Sequence, residues 1–586
     1  MTGIQQGNDT DAAGGMRNAN APTPSVYPPP ESMRPTLVGR DYMVSAGHPI
    51  VAQIMCAVLD AGGTAIDAGV AGGIASNVVQ VDMCNLGGIA PILLKRAGDP
   101  TVWSISGVGP WGREVTLERF RARYGDDIPL GSGACVVPAA LGAWVTALQR
   151  FGTRSFAELA RPSIAYAADG LPLDHRTAIA LGIMGRSFSA WESSRSIYWW
   201  RGRPPRTGEI LRQPDLARSL AGLAAAERGA ASREEGLERV RAAFYEGEYA
   251  ELLVRFNRQT GGWLDLHDLA GFRCEVEPAP CVEFGGWHVH ASGLFSQGPV
   301  MLQALGILDG VDLAGMGAGS ADALHWTIEA LKLGFLDRER FGCDPRFAPV
   351  PVEALLDRGH LARLRGLVRP DRAVDAIPPT LRPGRPRSDT TYLCAIDRHG
   401  NVFSAMPSDT LDGSPIVPGL GYAASCRGVQ SRLDPAHVNV LAPGKRPRIT
   451  PAPALAVRPG TDEAIAFGCP GGDVIVQSMA QAFLNLVAHR MLPQQAVEAP
   501  RVCTFSFPGS FFPNPAFPGR VDVEARIPAD IQDELTRRGH RLSPWPAFEF
   551  DAGAVAMAGR IDLGGEDGSV LIGAADPRRT AYAAGR

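Results

Sequence analysis

One stretch of this chain constrains its fold more than any other, Asp389-Thr390-Thr391-Tyr392-Leu393-Cys394-Ala395-Ile396-Asp397. Its β-branched and aromatic start predicts a half-buried strand, and the turn residues of 397–401 predict where that strand ends. The apolar segment 402–406 follows at once, so the pattern predicts a β-hairpin. The preceding segment, 381–388, is basic and rich in proline and lacks apolar periodicity. An exposed, irregular segment therefore leads directly into a hydroxyl-bearing residue at the start of a buried strand.

This junction suggests that the chain cleaves itself between Asp389 and Thr390. Threonine is a weak nucleophile unless a base takes its proton, and a free α-amine on the same residue can act as that base. The reference pKa of an α-amine is about 8 and burial lowers it, so much of the amine can be neutral at pH 7. Ser408, just after the second strand, could donate a hydrogen bond to the Thr390 hydroxyl. The alternative is that Thr390 is an ordinary strand residue.

A second candidate feature is the glycine pair Gly471-Gly472, which precedes a predicted helix over 474–488. Two consecutive backbone N–H groups at a helix N-terminus point outward, and the helix dipole favours negative charge there. An oxyanion hole needs this arrangement, because negative charge develops on the carbonyl oxygen during acyl transfer. The alternative is an ordinary loop before a helix, so the pair gains weight only beside Thr390.

Composition narrows the class of protein. With 586 residues, 45% of them hydrophobic, the chain can bury a large core in several domains or in one large α/β domain. A net charge of −4 gives no electrostatic argument for nucleic-acid binding. No run of about eighteen apolar residues predicts a membrane span. The ten cysteines form no CxxC pair, which favours reduced thiols and a cytoplasmic location. The polar segment 1–36 has no signal-peptide core and is expected to be a disordered lead-in.

Helical and strand patterns alternate along the chain. Helices are predicted over 49–60, 65–79, 140–151, 156–169, 300–308, 320–338 and 474–488. Short strands are predicted over 91–95, 287–290, 419–425, 454–457 and 464–468, besides the hairpin. This interleaving predicts an α/β or α+β fold with a layered core.

Taken together, these motifs make the chain resemble the gamma-glutamyltransferase family of N-terminal-nucleophile hydrolases. The resemblance spans about 43–557 and rests on 62–68 (GGTAIDA), 85–88 (NLGG), 268–272 (DLAGF), Thr390-Thr391 with Asp397, Gly400 and Asn401, and on Pro447, Pro453 and 468–472 (GCPGG). It implies a four-layer αββα fold and self-cleavage into a large subunit, 37–389, and a small subunit, 390–586, within one composite catalytic domain. It also implies a heterodimer that can pair into a dimer of heterodimers, with no metal ion and no organic cofactor.

The resemblance further implies acyl transfer from a small-molecule amide, with Thr390 as the nucleophile and Ser408, Gly471 and Gly472 supporting it. Three departures concern the glutamyl group. Ser106 stands where the family has an arginine for the substrate carboxylate, the 424–429 region lacks the acidic residue for the α-amino group, and Ile449-Thr450 replaces a serine pair. Losing that arginine removes a bidentate, charge-assisted contact.

These departures favour the acylase-like and oxamate-amidohydrolase-like branches of the family, and a small or dicarboxylic acyl amide rather than glutathione. The candidate substrate-binding residues are Arg427, Thr450, Asp473 and Ser106. Arg427 could replace the missing anchor, or it could be an exposed structural arginine. Alternatives are a true gamma-glutamyltransferase or glutathione hydrolase, an unprocessed non-enzymatic scaffold, and a metal-dependent amidohydrolase.

Four other side chains could be mistaken for site residues. His288 and His290 share one face of a predicted strand, but no third metal ligand lies at a suitable spacing, so a surface position is the preferred interpretation. Cys394 and Cys469 lie in apolar surroundings, where a thiol is inert, and core packing is the preferred interpretation.

Overall fold

The computed structural model describes residues 32–374, 389–566 and 568–586. Most of the predicted lead-in and the proline-rich segment before Asp389 lie outside these residues. No helix in the described part of the chain is both long and apolar enough to cross a membrane. The cytoplasmic location stays a prediction.

Nineteen strands occur within the described residues. They are β1 (Leu37–Gly39), β2 (Tyr42–Ala46), β3 (Ile92–Lys95), β4 (Val102–Ile105), β5 (Leu171–Pro172), β6 (Ile210–Leu211), β7 (Val276–Pro278), β8 (Cys281–Phe284), β9 (Trp287–Ala291), β10 (Leu393–Asp397), β11 (Val402–Ala405), β12 (Ala454–Val457), β13 (Ala464–Gly468), β14 (Val502–Thr504), β15 (Arg520–Glu524), β16 (Arg541–Trp545), β17 (Ala556–Asp562), β18 (Ser569–Ala575) and β19 (Tyr582–Gly585).

The same part of the chain contains nineteen α-helices. They are α1 (Pro49–Asp60), α2 (Ala65–Val79), α3 (Leu117–Tyr124), α4 (Ala140–Phe151), α5 (Phe156–Asp169), α6 (His175–Phe188), α7 (Glu192–Tyr198), α8 (Pro214–Ala226), α9 (Arg233–Glu246), α10 (Glu248–Gln259), α11 (Leu266–Ala270), α12 (Gly298–Leu308), α13 (Leu313–Met316), α14 (Ala321–Phe341), α15 (Val352–Leu355), α16 (Arg358–Arg365), α17 (Ile475–Val487), α18 (Pro493–Glu498) and α19 (Ala529–Arg537).

Two seven-stranded sheets form the centre of the molecule. The first sheet has the strand order β19-β2-β10-β11-β3-β4-β7, and the second has the order β1-β18-β17-β13-β12-β9-β8. Strands β10 and β11 pair antiparallel, with Leu393 opposite Ala405. The predicted hairpin is therefore confirmed, and it lies in the middle of the first sheet.

Successive side chains along the hairpin point alternately into two hydrophobic layers. Leu393 and Ala395 pack with α1 and α2 in one cluster, whereas Cys394 and Ile396 pack against the second sheet in another. Because successive side chains of a strand point to opposite faces, β10 is buried on both sides. The second cluster continues to α12 and α17, on the far side of the second sheet. The order is thus helices, sheet, sheet, helices, and the predicted four-layer αββα fold is confirmed.

Helix α2 lies directly against the hairpin because its packing face lacks bulk. Thr64 caps the helix and forms a capping box with Asp67. A Cβ at Gly69 would lie 2.1 Å from the Phe403 ring, so only glycine allows this approach. The bounds of α1 and α2 are those that their apolar spacing predicts.

The predicted strand over 419–425 is wrong. Within it, Gly419 and Gly421 have φ angles of 83° and 73°, and a left-handed backbone interrupts an extended strand. Ser425 forms only an isolated bridge with Val136. The predicted helix over 474–488 begins with a 3₁₀ turn, Gly472–Val474, and continues as α17.

Candidate active site

Thr390 is buried just before β10. It forms an isolated bridge with Ser408, which follows β11, so both residues lie at the same open end of the hairpin. The next residue fixes the chain from two sides, since the Thr391 N–H donates to the Pro407 carbonyl at 3.1 Å and its hydroxyl donates to Gln80 Oε1 at 2.8 Å. The chain is therefore held directly after Thr390 by one main-chain and one side-chain hydrogen bond of Thr391.

The hydroxyls of Thr390 and Ser408 are within hydrogen-bond distance of each other. Thr390 Oγ1 lies 2.7 Å from Ser408 Oγ, and Ser408 Oγ donates to the carbonyl oxygen of Asp389 at 2.8 Å. Because a serine hydroxyl has a single proton, the Thr390 hydroxyl is then the donor to Ser408. The candidate nucleophile and the carbonyl group of the residue before it therefore share one hydrogen-bond partner, Ser408.

Arg427 contacts this group and is fully buried, so the exposed position considered for it is wrong. Its Nε lies 2.7 Å from Asp409 Oδ1, while Nη2 donates to Ser408 Oγ and approaches the Asp389 carbonyl oxygen at 3.4 Å. A positive charge beside that carbonyl favours developing negative charge on its oxygen. The structure therefore brings Arg427 to Thr390, with a carboxylate already bound to it.

Thr450 is connected to Arg427 through Gln430. Arg427 Nη1 donates to Gln430 Oε1 at 3.3 Å, and Gln430 Nε2 donates to Thr450 Oγ1 at 3.3 Å. All three side chains are buried. This chain of hydrogen bonds joins two candidate substrate-binding residues to the candidate nucleophile. Gln430 belongs to it, and no motif in the sequence indicated this residue.

Gly471 precedes and Gly472 begins the 3₁₀ turn that leads into α17. Their φ angles are 128° and 64°, and a Cβ at Gly471 would lie 2.6 Å from Val474 Cγ2. Glycine is therefore required at Gly471 for both backbone conformation and space. Gly471 lines the same cavity as Thr390, whereas Gly472 is not among its lining residues. The oxyanion role stays a prediction for both.

A cavity of about 410 Å³ opens beside Thr390. Its charged lining residues include Asp82, Arg176 and Arg579, all distant in sequence from the hairpin. Burial raises the pKa of Asp82 to about 7, because a carboxylate loses hydration there. The sequence shows Asp82 among apolar neighbours after α2, and it shows the arginine pair 578–579. Neither belongs to a pattern that assigns it a role.

Ser106 and Asp473, two of the predicted substrate-binding residues, form hydrogen bonds with other parts of the protein. Ser106 Oγ accepts a hydrogen bond from the Glu275 N–H at 3.1 Å, and Ser106 does not line the cavity beside Thr390. Asp473 belongs to a buried polar cluster, in which its Oδ1 accepts from Gln297 at 2.6 Å and from Arg338 at 2.8 Å. These contacts give Ser106 and Asp473 protein partners, and a role in substrate binding stays a prediction for both.

The cysteine interpretations agree with the structure. Cys394 and Cys469 are fully buried, and burial raises the pKa of their thiols to about 12 and about 11. A thiol with such a pKa is mostly protonated and therefore a poor nucleophile at neutral pH.

One group of possible metal ligands occurs within the described ranges, formed by His325, Glu329 and His540. Its members already bind protein atoms: His325 Nδ1 lies 2.9 Å from His540 Nε2, and Lys332 Nζ donates to Glu329 at 2.8 Å. His288 and His290 are not part of this group. His290 Nδ1 instead lies 3.2 Å from the Ala279 carbonyl oxygen.

Comparison with known proteins gives a consistent result. The family model described as gamma-glutamyltranspeptidase matches residues 51–586. The Acylase ACY 1 proenzyme of Pseudomonas sp. (strain SE83) is 31% identical over 92% of this chain and 94% of that protein. The Glutathione hydrolase-like YwrD proenzyme of Bacillus subtilis (strain 168) is 30% identical over 94% of this chain and 100% of that protein.

Two further relatives extend the comparison. The Oxamate amidohydrolase proenzyme of Klebsiella pneumoniae is 29% identical over 93% of this chain and 98% of that protein. The crystal structure of cephalosporin acylase from Bacillus halodurans superimposes with a TM-score of 0.82 and 29% identity, covering 97% of this chain and 99% of that one. The predicted resemblance, including its acylase and oxamate-amidohydrolase branches, is confirmed.

Proposed function

The chain belongs to the gamma-glutamyltranspeptidase family of N-terminal-nucleophile hydrolases, and we propose that it is activated by cleavage between Asp389 and Thr390 and then acts on a small or dicarboxylic acyl amide. The proposal assigns residues 37–389 to a large subunit and 390–586 to a small one. Thr390 is its nucleophile, and the new α-amine of Thr390 is its base.

The contact of Ser408 with both Thr390 Oγ1 and the Asp389 carbonyl oxygen carries this proposal. Self-cleavage begins when Thr390 Oγ1 adds to the Asp389 carbonyl carbon and its proton passes through the Ser408 hydroxyl towards the amide nitrogen. The C–N bond then breaks, the nitrogen takes a proton, and an ester links Asp389 to Thr390 Oγ1. Water hydrolyses the ester, which leaves a carboxylate on Asp389 and a free amine on Thr390.

The same ester chemistry serves the substrate. The neutral α-amine of Thr390 takes the proton from Oγ1, which attacks the amide carbonyl of the substrate. We assign Gly471 and Gly472 to the oxyanion, since both lie at the start of a helix where backbone N–H groups are free to donate. The amine of the substrate leaves with the proton, and water or a second amine then takes the acyl group.

Several observations support the proposal that the substrate is another amide and not glutathione. Ser106 cannot pair with a carboxylate as an arginine does, and the 424–429 region offers no acidic side chain to an α-amino group. The relatives named acylase and oxamate amidohydrolase act, by their names, on other amides.

A second candidate function, glutathione hydrolysis, draws support from the relative named Glutathione hydrolase-like. Equal turnover of a γ-glutamyl anilide and simple acyl anilides would contradict the preference.

Replacing Thr390 with alanine tests the proposal. We expect Thr390→Ala to give one uncut, inactive chain, because the variant lacks the attacking oxygen. Intact-mass spectrometry and N-terminal sequencing of the wild type should find a fragment that begins at Thr390. Thr391→Ser, which keeps a hydroxyl at the neighbouring position, is the control and should still be cut. Normal cleavage of Thr390→Ala would contradict the proposal, and an uncut wild type would favour the scaffold alternative.

A further inference from the structure

Arg579 lies in the wall of the cavity beside Thr390 and is held in one orientation. Its guanidinium carbon lies 3.9 Å from the centre of the Phe550 ring, and its Nε donates to the Phe550 carbonyl oxygen at 3.2 Å. The side chain is only 7% exposed. Stacking on an aromatic ring and a backbone hydrogen bond fix the plane of the guanidinium, and they leave Nη1 and Nη2 for other partners.

The two terminal nitrogens of Arg579 face different surroundings. Nη1 binds the carboxylate of Asp389 at 2.7 Å. Nη2 donates no hydrogen bond to the residues that the structure describes, and it lies 3.6 Å from the position that a Cβ would take at Gly471. The edge of the guanidinium that can bind a carboxylate therefore lies next to the proposed oxyanion site.

The ion pair between Arg579 and Asp389 crosses the proposed cleavage point. Asp389 is the last residue before it, and Arg579 follows 190 positions later. Cleavage removes the peptide bond that holds Asp389 beside Thr390 and makes it the C-terminal residue of the large subunit. Arg427 differs, because its carboxylate partner Asp409 lies on the same side of the cut. Cleavage therefore alters the pairing of Arg579 and leaves that of Arg427 intact.

We propose that self-cleavage releases Arg579 from Asp389, and that Arg579 then binds a carboxylate on the acyl group of the substrate. The inference rests on the proposed function, because it needs the cut before Thr390. A planar guanidinium binds a carboxylate through two parallel, charge-assisted hydrogen bonds. A buried guanidinium that loses its partner is also costly to leave unpaired, which favours a new anion in the same place.

The self-cleavage ester indicates the length of this acyl group. In that ester the carbonyl carbon of Asp389 is bonded to Thr390 Oγ1, so Asp389 is the first acyl group that the nucleophile carries. Two carbons separate this carbonyl from the side-chain carboxylate that Arg579 binds. A succinyl group has the same spacing between its carbonyl and its carboxylate. Succinyl amides are therefore the substrates that reproduce the geometry already built around Asp389.

Apart from Arg579 and Asp389, the charged residues that line the cavity are Arg176, Asp82 and the exposed Asp551. Arg176 lines the same cavity and donates to the Arg578 carbonyl oxygen at 3.1 Å, which places a second guanidinium near Arg579. Asp82 is a carboxyl in the same lining, but burial raises its pKa to about 7. Below that pH Asp82 is mostly neutral, so it competes little with a substrate carboxylate for Arg579.

The test compares N-succinyl and N-butyryl anilides, whose acyl groups differ by a terminal carboxylate in place of a methyl group. We expect the cleaved wild type to show a kcat/KM about 10- to 100-fold higher for the succinyl anilide, the usual range for a charge-assisted pair. Arg579→Met should remove this preference and change kcat/KM for the butyryl anilide by less than about threefold. Arg340→Met, at an exposed position of α14 outside the cavity lining, is the control and should keep the preference.

A measurement on the wild type covers the case in which Arg579→Met does not fold or is not cut. Succinate should inhibit butyryl-anilide hydrolysis at concentrations at least about tenfold lower than butyrate does. A cleaved, active wild type that treats the two anilides or the two acids alike would overturn the role of Arg579 and leave the proposed function standing. So would an Arg579→Met variant that loses both substrates equally. A wild type that is not cut at Thr390 and hydrolyses neither anilide would overturn the proposed function itself.

Discussion

At the scale of single residues, burial decides the chemistry of the side chains around Thr390. Asp82 shows this most directly, because its carboxyl lies in the cavity lining and its pKa is raised from the usual 3.8 to about 7 by loss of hydration. The folded protein therefore holds a proton on Asp82 at pH values where the unfolded chain has released it. Because the folded state binds this proton more tightly than the unfolded state, the free energy of unfolding falls as the pH rises from about 4 to about 7.

The Asp82→Asn variant should remove that cost. We expect it to be more stable than the wild type above about pH 7, by roughly 2–4 kcal/mol, and to lose this advantage as the pH falls towards about 4. Thermal unfolding at pH 4.5 and pH 8 measures the difference. Asp533→Asn, at an exposed position of α19, is the control for the loss of one carboxyl group. A gain for Asp82→Asn that did not depend on pH would contradict the raised pKa.

At the scale of elements, the hairpin of β10 and β11 brings two serines into different roles. Ser408, beyond the end of β11, contacts both Thr390 and the Asp389 carbonyl. Ser404, within β11, points into the layer between the sheets, where it donates to the Ala454 carbonyl oxygen at 3.0 Å and contacts the Tyr392 hydroxyl at 2.8 Å. Ser408 therefore contacts the atoms that the proposed cleavage involves, whereas Ser404 connects the two sheets.

Ser408→Ala should slow self-cleavage by about 100-fold, the usual effect of removing one hydrogen-bond donor to a developing oxyanion. The rate at which the full-length precursor disappears, followed by intact mass after purification, measures this effect. Ser404→Ala is expected to cost about 1 kcal/mol of stability and to be cut at the wild-type rate. Equal rates for Ser408→Ala and the wild type would show that this hydroxyl takes no part in the cleavage.

At the scale of the whole molecule, the two proposed subunits share both sheets. In the first sheet β10 pairs with β2, and β11 pairs with β3. In the second sheet β12 pairs with β9, and β1 pairs with β18. Each of these ladders joins a strand before Thr390 to a strand after it. Cutting one peptide bond removes none of these hydrogen bonds and exposes none of the apolar layers between the sheets.

We therefore expect the cut fragments to stay together under native conditions. Size-exclusion chromatography should elute both fragments in one peak, at the volume of the uncut Thr390→Ala protein, while a denaturing gel should separate them. Unfolding in guanidinium chloride should release both fragments in a single transition, because they share one core. Separation of the fragments without denaturant would contradict the composite domain.

Local patterns predicted those parts of the molecule that neighbouring residues control. The bounds of α1, α2, α4 and α5 follow from apolar spacing, helix caps and terminal glycines, and the hairpin follows from its turn and its β-branched residues. The predicted strand over 419–425 failed because its glycines adopt left-handed conformations that composition does not reveal. The roles of Thr390, Ser408, Gly471 and Gly472 remain predictions, although Ser408 and Gly471 lie where those roles require them.

The sequence by itself determined the layered fold, the family and the candidate nucleophile, because each depends on residues that are close in the chain or on motifs with fixed spacing. Only the tertiary structure decided what surrounds the nucleophile. It placed Arg579 on Asp389 across 190 positions and Asp82 in the same cavity, and it connected Thr450 to Arg427 through Gln430. The physical reason is that such contacts depend on how distant strands and loops pack, and no local periodicity records which distant side chains will meet.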